Sequence, residues 1–151
     1  MTSGRRTNVV GAWGVAVLLS GAVFAPEAPV ADAAMRGDVV MVKALVDGGA
    51  DVNEAQGDGM TALHWAVYHD DAETAGLLVR SGADVNAENR YGVPPLSVAA
   101  TNGSADIVTL LLDAGADANA TLRGGETVLM TAARTGSLGA VRALLAKGAD
   151  P

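Results

Sequence analysis

Apolar positions along the chain fall into columns that return every 33 residues, as do four Gly-Ala-Asp triplets beginning at Gly49, Gly82, Gly115 and Gly148. Four positions before each triplet stand Leu45, Leu78, Leu111 and Leu144, followed by Val46, Val79, Leu112 and Leu145. Seven positions before it stand Val42, Ala75, Val108 and Val141. These offsets place one apolar stripe on a helix of about ten residues. The triplet's glycine is expected to end that helix, because glycine takes the left-handed conformation of a helix terminus without steric cost. Further upstream lie the pairs Ala33 and Ala34, Ala66 and Val67, Ala99 and Ala100, and Ala132 and Ala133. Such small residues predict a first short helix pressed close against its neighbours. The stretches "DVNEAQGDGM", "DVNAENRYGV" and "DANATLRGGE" supply turn residues between units.

A constant period of this length marks a repeat architecture. Residues 30–151 divide into units 30–53, 54–86, 87–119 and 120–151, the first without its opening turn and the last stopping inside its closing one. The expected fold class is all-α, a solenoid of helix-turn-helix units in which each unit buries its apolar face only by stacking on the next.

The first residues read differently. Arg5 and Arg6 precede an apolar run from Val9 to Leu19, then small residues and prolines, the pattern of a secretory signal. Small residues at Ser20 and Ala22 favour cleavage after Ala22, which makes 1–22 a signal peptide and leaves 23–29, "VFAPEAP", as an extended linker. The protein is then exported, periplasmic or secreted. Left uncleaved, Val9 to Ala25 would be an N-terminal anchor at the lower limit of spanning length. The absence of cysteine excludes a lipoprotein, disulfides, thiolate metal sites and a cysteine nucleophile.

Half of the residues are hydrophobic, but the five aromatics include Trp13 and Phe24 in the first segment. The core must therefore be built from Ala, Val and Leu. Net charge is −7. Without Arg5 and Arg6, eight bases face 17 acids and form no basic stripe. That argues against a nucleic-acid partner.

The stretch "DGMTALHWAVYHDDAETAGLLVRSGADVN" resembles the ankyrin repeat, with Gly59, Thr61, Leu63, His64, Ala66, Leu77, Leu78, Gly82, Ala83, Asp84, Val85 and Asn86 at the family's positions. The resemblance covers residues 30–151. It implies two antiparallel helices per unit, a projecting β-hairpin-like finger, and protein binding on a concave surface. It also implies a Thr61–His64 hydrogen bond that braces the turn. Only the second unit keeps that pair; the third has Pro94, Pro95 and Ser97, and the fourth Thr127 and Met130. Asp70 replaces the glycine expected after the second unit's first helix, and Gly76 lies inside its second helix, so that helix is expected to be the loosest of the complete units. At the C-terminal end Val141, Leu144 and Leu145 are expected to keep an uncovered side, which favours a fragment of a longer protein over a partner covering that end.

Catalysis needs titratable groups converging in a cleft, and the sequence offers little. His64 and His69 are five residues apart, which turns them about 140 degrees from each other on a helix and away from a shared metal. His64 reads as the turn brace and His69 as a solvated loop residue. "LRGGET" lacks the lysine of a phosphate loop. Asp51, Asp84, Asp117 and Asp150 recur too sparsely for a calcium ladder and are expected to accept N–H bonds from the following turn. No catalytic residue, metal site, cofactor or small-molecule substrate is expected.

The family's contact positions, carried over by residue, hold Met35 and Arg36, then Asp58, Met60, Tyr68 and His69. They continue with Arg90, Tyr91, Val93, Thr101 and Asn102, and end with Arg123, Glu126, Arg134 and Thr135. Trp65 reads as core. Both tyrosines and four of the six arginines beyond the first segment fall in this set, and Tyr and Arg dominate interface hot spots. The expected function is a non-covalent protein-protein interaction module. The alternatives are the non-catalytic part of a larger enzyme continuing past residue 151 and a secreted effector acting on proteins of another cell.

Overall fold

The computed structural model describes residues 26–151; the expected signal peptide and the first three residues of the expected linker lie outside them. Eight helices follow in chain order: α1 (Pro29–Met35), α2 (Val39–Asp47), α3 (Ala62–Tyr68), α4 (Ala72–Arg80), α5 (Pro95–Asn102), α6 (Ala105–Asp113), α7 (Val128–Thr135) and α8 (Leu138–Ala146). They form four antiparallel pairs. The first helices α1, α3, α5 and α7 pack in one row, and α2, α4, α6 and α8 in a second. Helix α1 begins at Pro29 with Ala28 buried as its N-cap, so the end of the expected linker belongs to the fold. Among the described residues no helix is long and apolar enough to cross a membrane.

The triplet explains how each pair closes. In α2 the C-cap is Gly48, and Gly49 stands one residue beyond it at φ +82°. The glycine thus follows the cap rather than forming it. Its N–H donates to Val46 O, and that of Ala50 donates to Leu45 O, both at 3.0 Å. This double bond to the last turn satisfies carbonyls that a helix end would otherwise leave unpaired. The same two bonds recur at Gly82 and Ala83, Gly115 and Ala116, and Gly148 and Ala149.

The third triplet residue then organises the turn. Asp51, Asp84 and Asp117 each accept, through Oδ1, the backbone N–H two residues on, at 2.9 Å. The residue so held is an asparagine that joins unit to unit. Asn53 Nδ2 donates to Gly82 O and its Oδ1 accepts from Asp84 N; Asn86 does the same to Gly115 and Asp117, and Asn119 to Gly148 and Asp150. The repeated phrase is therefore a stacking device.

First helices leave through a left-handed residue at Gly37, Gly103 and Gly136, with φ between 68° and 74°. Asp70 occupies the equivalent place at φ +56°, the one non-glycine with positive φ among the described residues. At the entry to α3, Thr61 and His64 form the expected brace, the Thr61 hydroxyl and His64 Nδ1 lying 2.8 Å apart. Pro94 stands at the N-cap of α5 and supplies no side-chain cap, and the Ser97 hydroxyl is buried without a partner. The fourth unit keeps half of the device, since Thr127 Oγ1 accepts from Met130 N at 3.1 Å.

Val30, Leu63, Leu96, Val42, Ala75, Val108, Leu78 and Leu111 are all buried in the continuous core. At the C-terminal end the expectation was partly mistaken. Leu144 is fully buried in the core, whereas Leu145 is 46% exposed and Met130 58%. Val141 is half-buried.

Candidate functional site

The fingers between the helix pairs are tight turns that share one geometry. Gln56 N donates to Met60 O and Gly59 N to Gln56 O; Asn89 with Val93 and Gly92, and Leu122 with Glu126 and Gly125, repeat this. Asp58 and Asn89 carboxyl and amide oxygens tie down the backbone N–H groups that follow them. An isolated antiparallel bridge joins Thr121 and Thr127 in the last finger. Gly59 serves two needs at once. Its φ is +83°, and a Cβ there would lie 2.8 Å from Arg90 N, where the next finger crosses it. That crossing carries a backbone bond from Arg90 N to Asp58 O at 2.8 Å.

Several expected contact residues prove to be tied to the neighbouring unit. Arg90 donates from its guanidinium to Gly57 O, and Arg123 donates to Arg90 O at 3.1 Å. At the ends of the first helices, the His69 ring Nε2 bonds to Met35 O at 3.0 Å, Asn102 Nδ2 to Val67 O at 2.9 Å, and Thr135 Oγ1 to Ala100 O at 3.2 Å. Each fingertip and each helix end thus reaches back one unit. The reading of His69 as only a solvated loop residue is corrected: it caps α3 and holds the preceding unit. Thr101 bonds within its own helix to Ser97 O. Val93 contributes its carbonyl, which His64 Nε2 meets at 2.9 Å. Met60 is half-buried with its sulfur against Asn89.

What remains open to a partner is narrower and better ordered. Tyr68 is 59% exposed at the end of α3, and Tyr91 is 63% exposed on the third unit's fingertip. Arg134 projects from α7 and pairs with Glu126 at 2.9 Å, while Glu126 also accepts from the Thr131 hydroxyl. Around Tyr68 lies an aromatic platform that sequence reasoning missed by placing Trp65 in the core. Trp65 and Tyr68 meet edge to face with centroids 5.7 Å apart, and His69 stacks on Trp65 at 6.2 Å. Trp65 is half-buried, packing on the core from one side. Its indole N–H donates to Gln56 Oε1 at 2.7 Å, and Gln56 in turn donates to Asp32. The signal was present in the spacing of Trp65, Tyr68 and His69, which puts three rings along one helical turn.

Among the described residues the buried titratable group is His64. Burial pushes its imidazole below the ordinary value of 6.5, opposed in part by the bond to Val93 O and by the Asp58 charge. Val93 O can only accept, so Nε2 carries the proton and Nδ1 accepts from Thr61. A neutral ring in this tautomer satisfies both nitrogens. It therefore braces the turn from within, while His69 faces outward on different partners.

Comparison with known proteins agrees with this geometry. No curated protein matches the chain. A family model described as ankyrin repeats in three copies matches residues 15–89 and 82–151, opening within the stretch read as a leader. Ankyrin repeats are generally non-catalytic protein-protein interaction modules. With most of its length matched and its four helix pairs stacked at a constant period, this chain belongs to the ankyrin-repeat family.

Proposed function

We propose that the protein captures another protein non-covalently through the surface formed by its fingertips and the ends of its first helices, with no cofactor and no reaction centre. One observation carries this reading. Tyr68 and Tyr91 stand exposed at the family's contact positions, surrounded by side chains already fixed by inter-unit bonds. A surface ordered before binding loses little side-chain entropy on association. Of the expected contact set, Tyr68, Tyr91 and Arg134 stand open to a partner, and Arg90 and Arg123 keep exposed guanidinium donors beside their inter-unit bonds, with Asp58, Met60, His69, Val93, Thr101, Asn102, Glu126 and Thr135 shaping the surface.

The test is quantitative capture of the partner by the wild type and by Tyr68→Ala and Tyr91→Ala. Each is expected to weaken capture by about tenfold or more, on the order of 2 kcal/mol for a central aromatic. Arg142→Ala on α8 is the control and is expected to change nothing. Equal capture by all four proteins would overturn the proposal.

We also propose export, to the periplasm or the medium. Arg5, Arg6 and the apolar run from Val9 to Leu19 support it. N-terminal sequencing of the mature protein is expected to begin at Val23; a chain that retains Met1 in the membrane fraction would favour the anchor instead.

A further inference from the structure

Arg90 and Arg123 occupy the same place in successive units, and both guanidiniums are held by backbone carbonyls instead of carboxylates. Among the described residues the ion pairs join Arg134 to Glu126 and Lys147 to Asp113. The two fingertip charges are thus fixed in position while no ion pair neutralises them. Glu88 and Arg123 both approach within 4 Å of where a Cβ on Gly92 would stand, and Glu88 makes no ion pair with either arginine. A carbonyl bond uses one edge of a guanidinium and leaves other N–H donors free for a bidentate acceptor.

In a protein of net charge −7, two such cations in register offer fixed donors to a partner's carboxylates. The aromatic platform of Trp65, Tyr68 and His69 belongs to the second unit, and the two arginines to the fingers of the third and fourth. Their order along the solenoid is therefore apolar first, cationic after. Both halves are held in place, the rings by Gln56 and Met35 O and the guanidiniums by the fingers.

We infer that the surface recognises a peptide segment carrying a large apolar or aromatic side chain followed or preceded, a few residues away, by two carboxylates. The apolar side chain lies against Tyr68, and the carboxylates against Arg90 and Arg123. This deepens the proposed function and rests on it.

The experiment selects displayed random 12-residue peptides on the immobilised full chain, then measures the enriched sequences as synthetic peptides by fluorescence polarisation. The expected result is enrichment of acidic peptides with an aromatic or large aliphatic residue. Their affinity is expected to fall with rising salt. Replacing both arginines, Arg90→Gln with Arg123→Gln, keeps an amide donor for each carbonyl and removes both charges. This variant is expected to bind the acidic peptides at least tenfold more weakly with its melting temperature nearly kept. Enrichment of neutral or basic peptides, no enrichment at all, or full binding by the double glutamine variant would overturn the inference. Protein capture that depends on Tyr68 and Tyr91 but ignores Arg90 and Arg123 also overturns it, and leaves the broader binding function standing.

Discussion

Asn86 accepts the backbone N–H of Asp117 through its Oδ1 at 2.9 Å, while its Nδ2 donates to the carbonyl of Gly115 at 3.1 Å. One side chain thus locks the closing turn of the third unit onto the second. Asn86→Ala removes both bonds and leaves the opposing backbone groups to find water, a loss of about 1–3 kcal/mol. The urea midpoint is expected to fall accordingly. An unchanged midpoint would mean that the ladder contributes nothing to stacking.

His64 makes the stability of the second and third units sensitive to acid. Its folded-state affinity for a proton is lowered by burial, so the unfolded chain takes up the proton first. Stability is then full above the ordinary value of 6.5 and is lost as pH falls below it. The slope is at most about 1.4 kcal/mol per pH unit. Denaturation between pH 7.5 and 5.5 is expected to show this loss, and His64→Gln is expected to be less stable at pH 7.5 with a flatter profile. Parallel profiles for the two proteins would contradict the account.

Asp70 holds a left-handed backbone that glycine adopts freely in the other three units. Asp70→Gly is expected to stabilise the protein by about 1 kcal/mol. Amide exchange adds a spatial reading: residues 72–80 are expected to exchange faster than residues 105–113. Equal protection would remove the case for a loosened second unit.

Two glycines inside second helices predict opposite outcomes for the same change. A Cβ at Gly76 would approach the far end of the mobile Arg80 side chain at 3.0 Å, whereas one at Gly139 would lie 2.6 Å from the Ala105 Cβ in the neighbouring helix. Gly76→Ala is expected to raise stability by up to about 1 kcal/mol through helix propensity. Gly139→Ala is expected to lower it by about 1–3 kcal/mol, because α6 and α8 must move apart. Thermal melting of the two variants checks both signs.

The helix pairs and the core columns were legible from helical spacing and the 33-residue period, and the Thr61–His64 brace from the family resemblance. Asn53, Asn86 and Asn119 were visible as turn residues, but their bonds run 29 and 31 residues onward, a relation that composition and local periodicity do not express. For the same reason Arg90, Arg123, His69, Asn102 and Thr135 read as free contact residues; their stacking role appears only when the next unit is in place. Leu144 was misplaced because helical phase distinguishes it from Leu145 only once the inward direction is known. Trp65 sits at the boundary between core and surface, where an apolar position alone does not say which side of the ring is covered.

The most direct measurement is an amide-exchange footprint of the protein with and without its captured partner. Protection is expected on the fingertips at residues 57–60, 90–93 and 123–126 and at the exposed ends of α3, α5 and α7. The second helices α4, α6 and α8 are expected to be unchanged. Protection confined to those second helices, with the fingertips exchanging as in the free protein, would contradict the account.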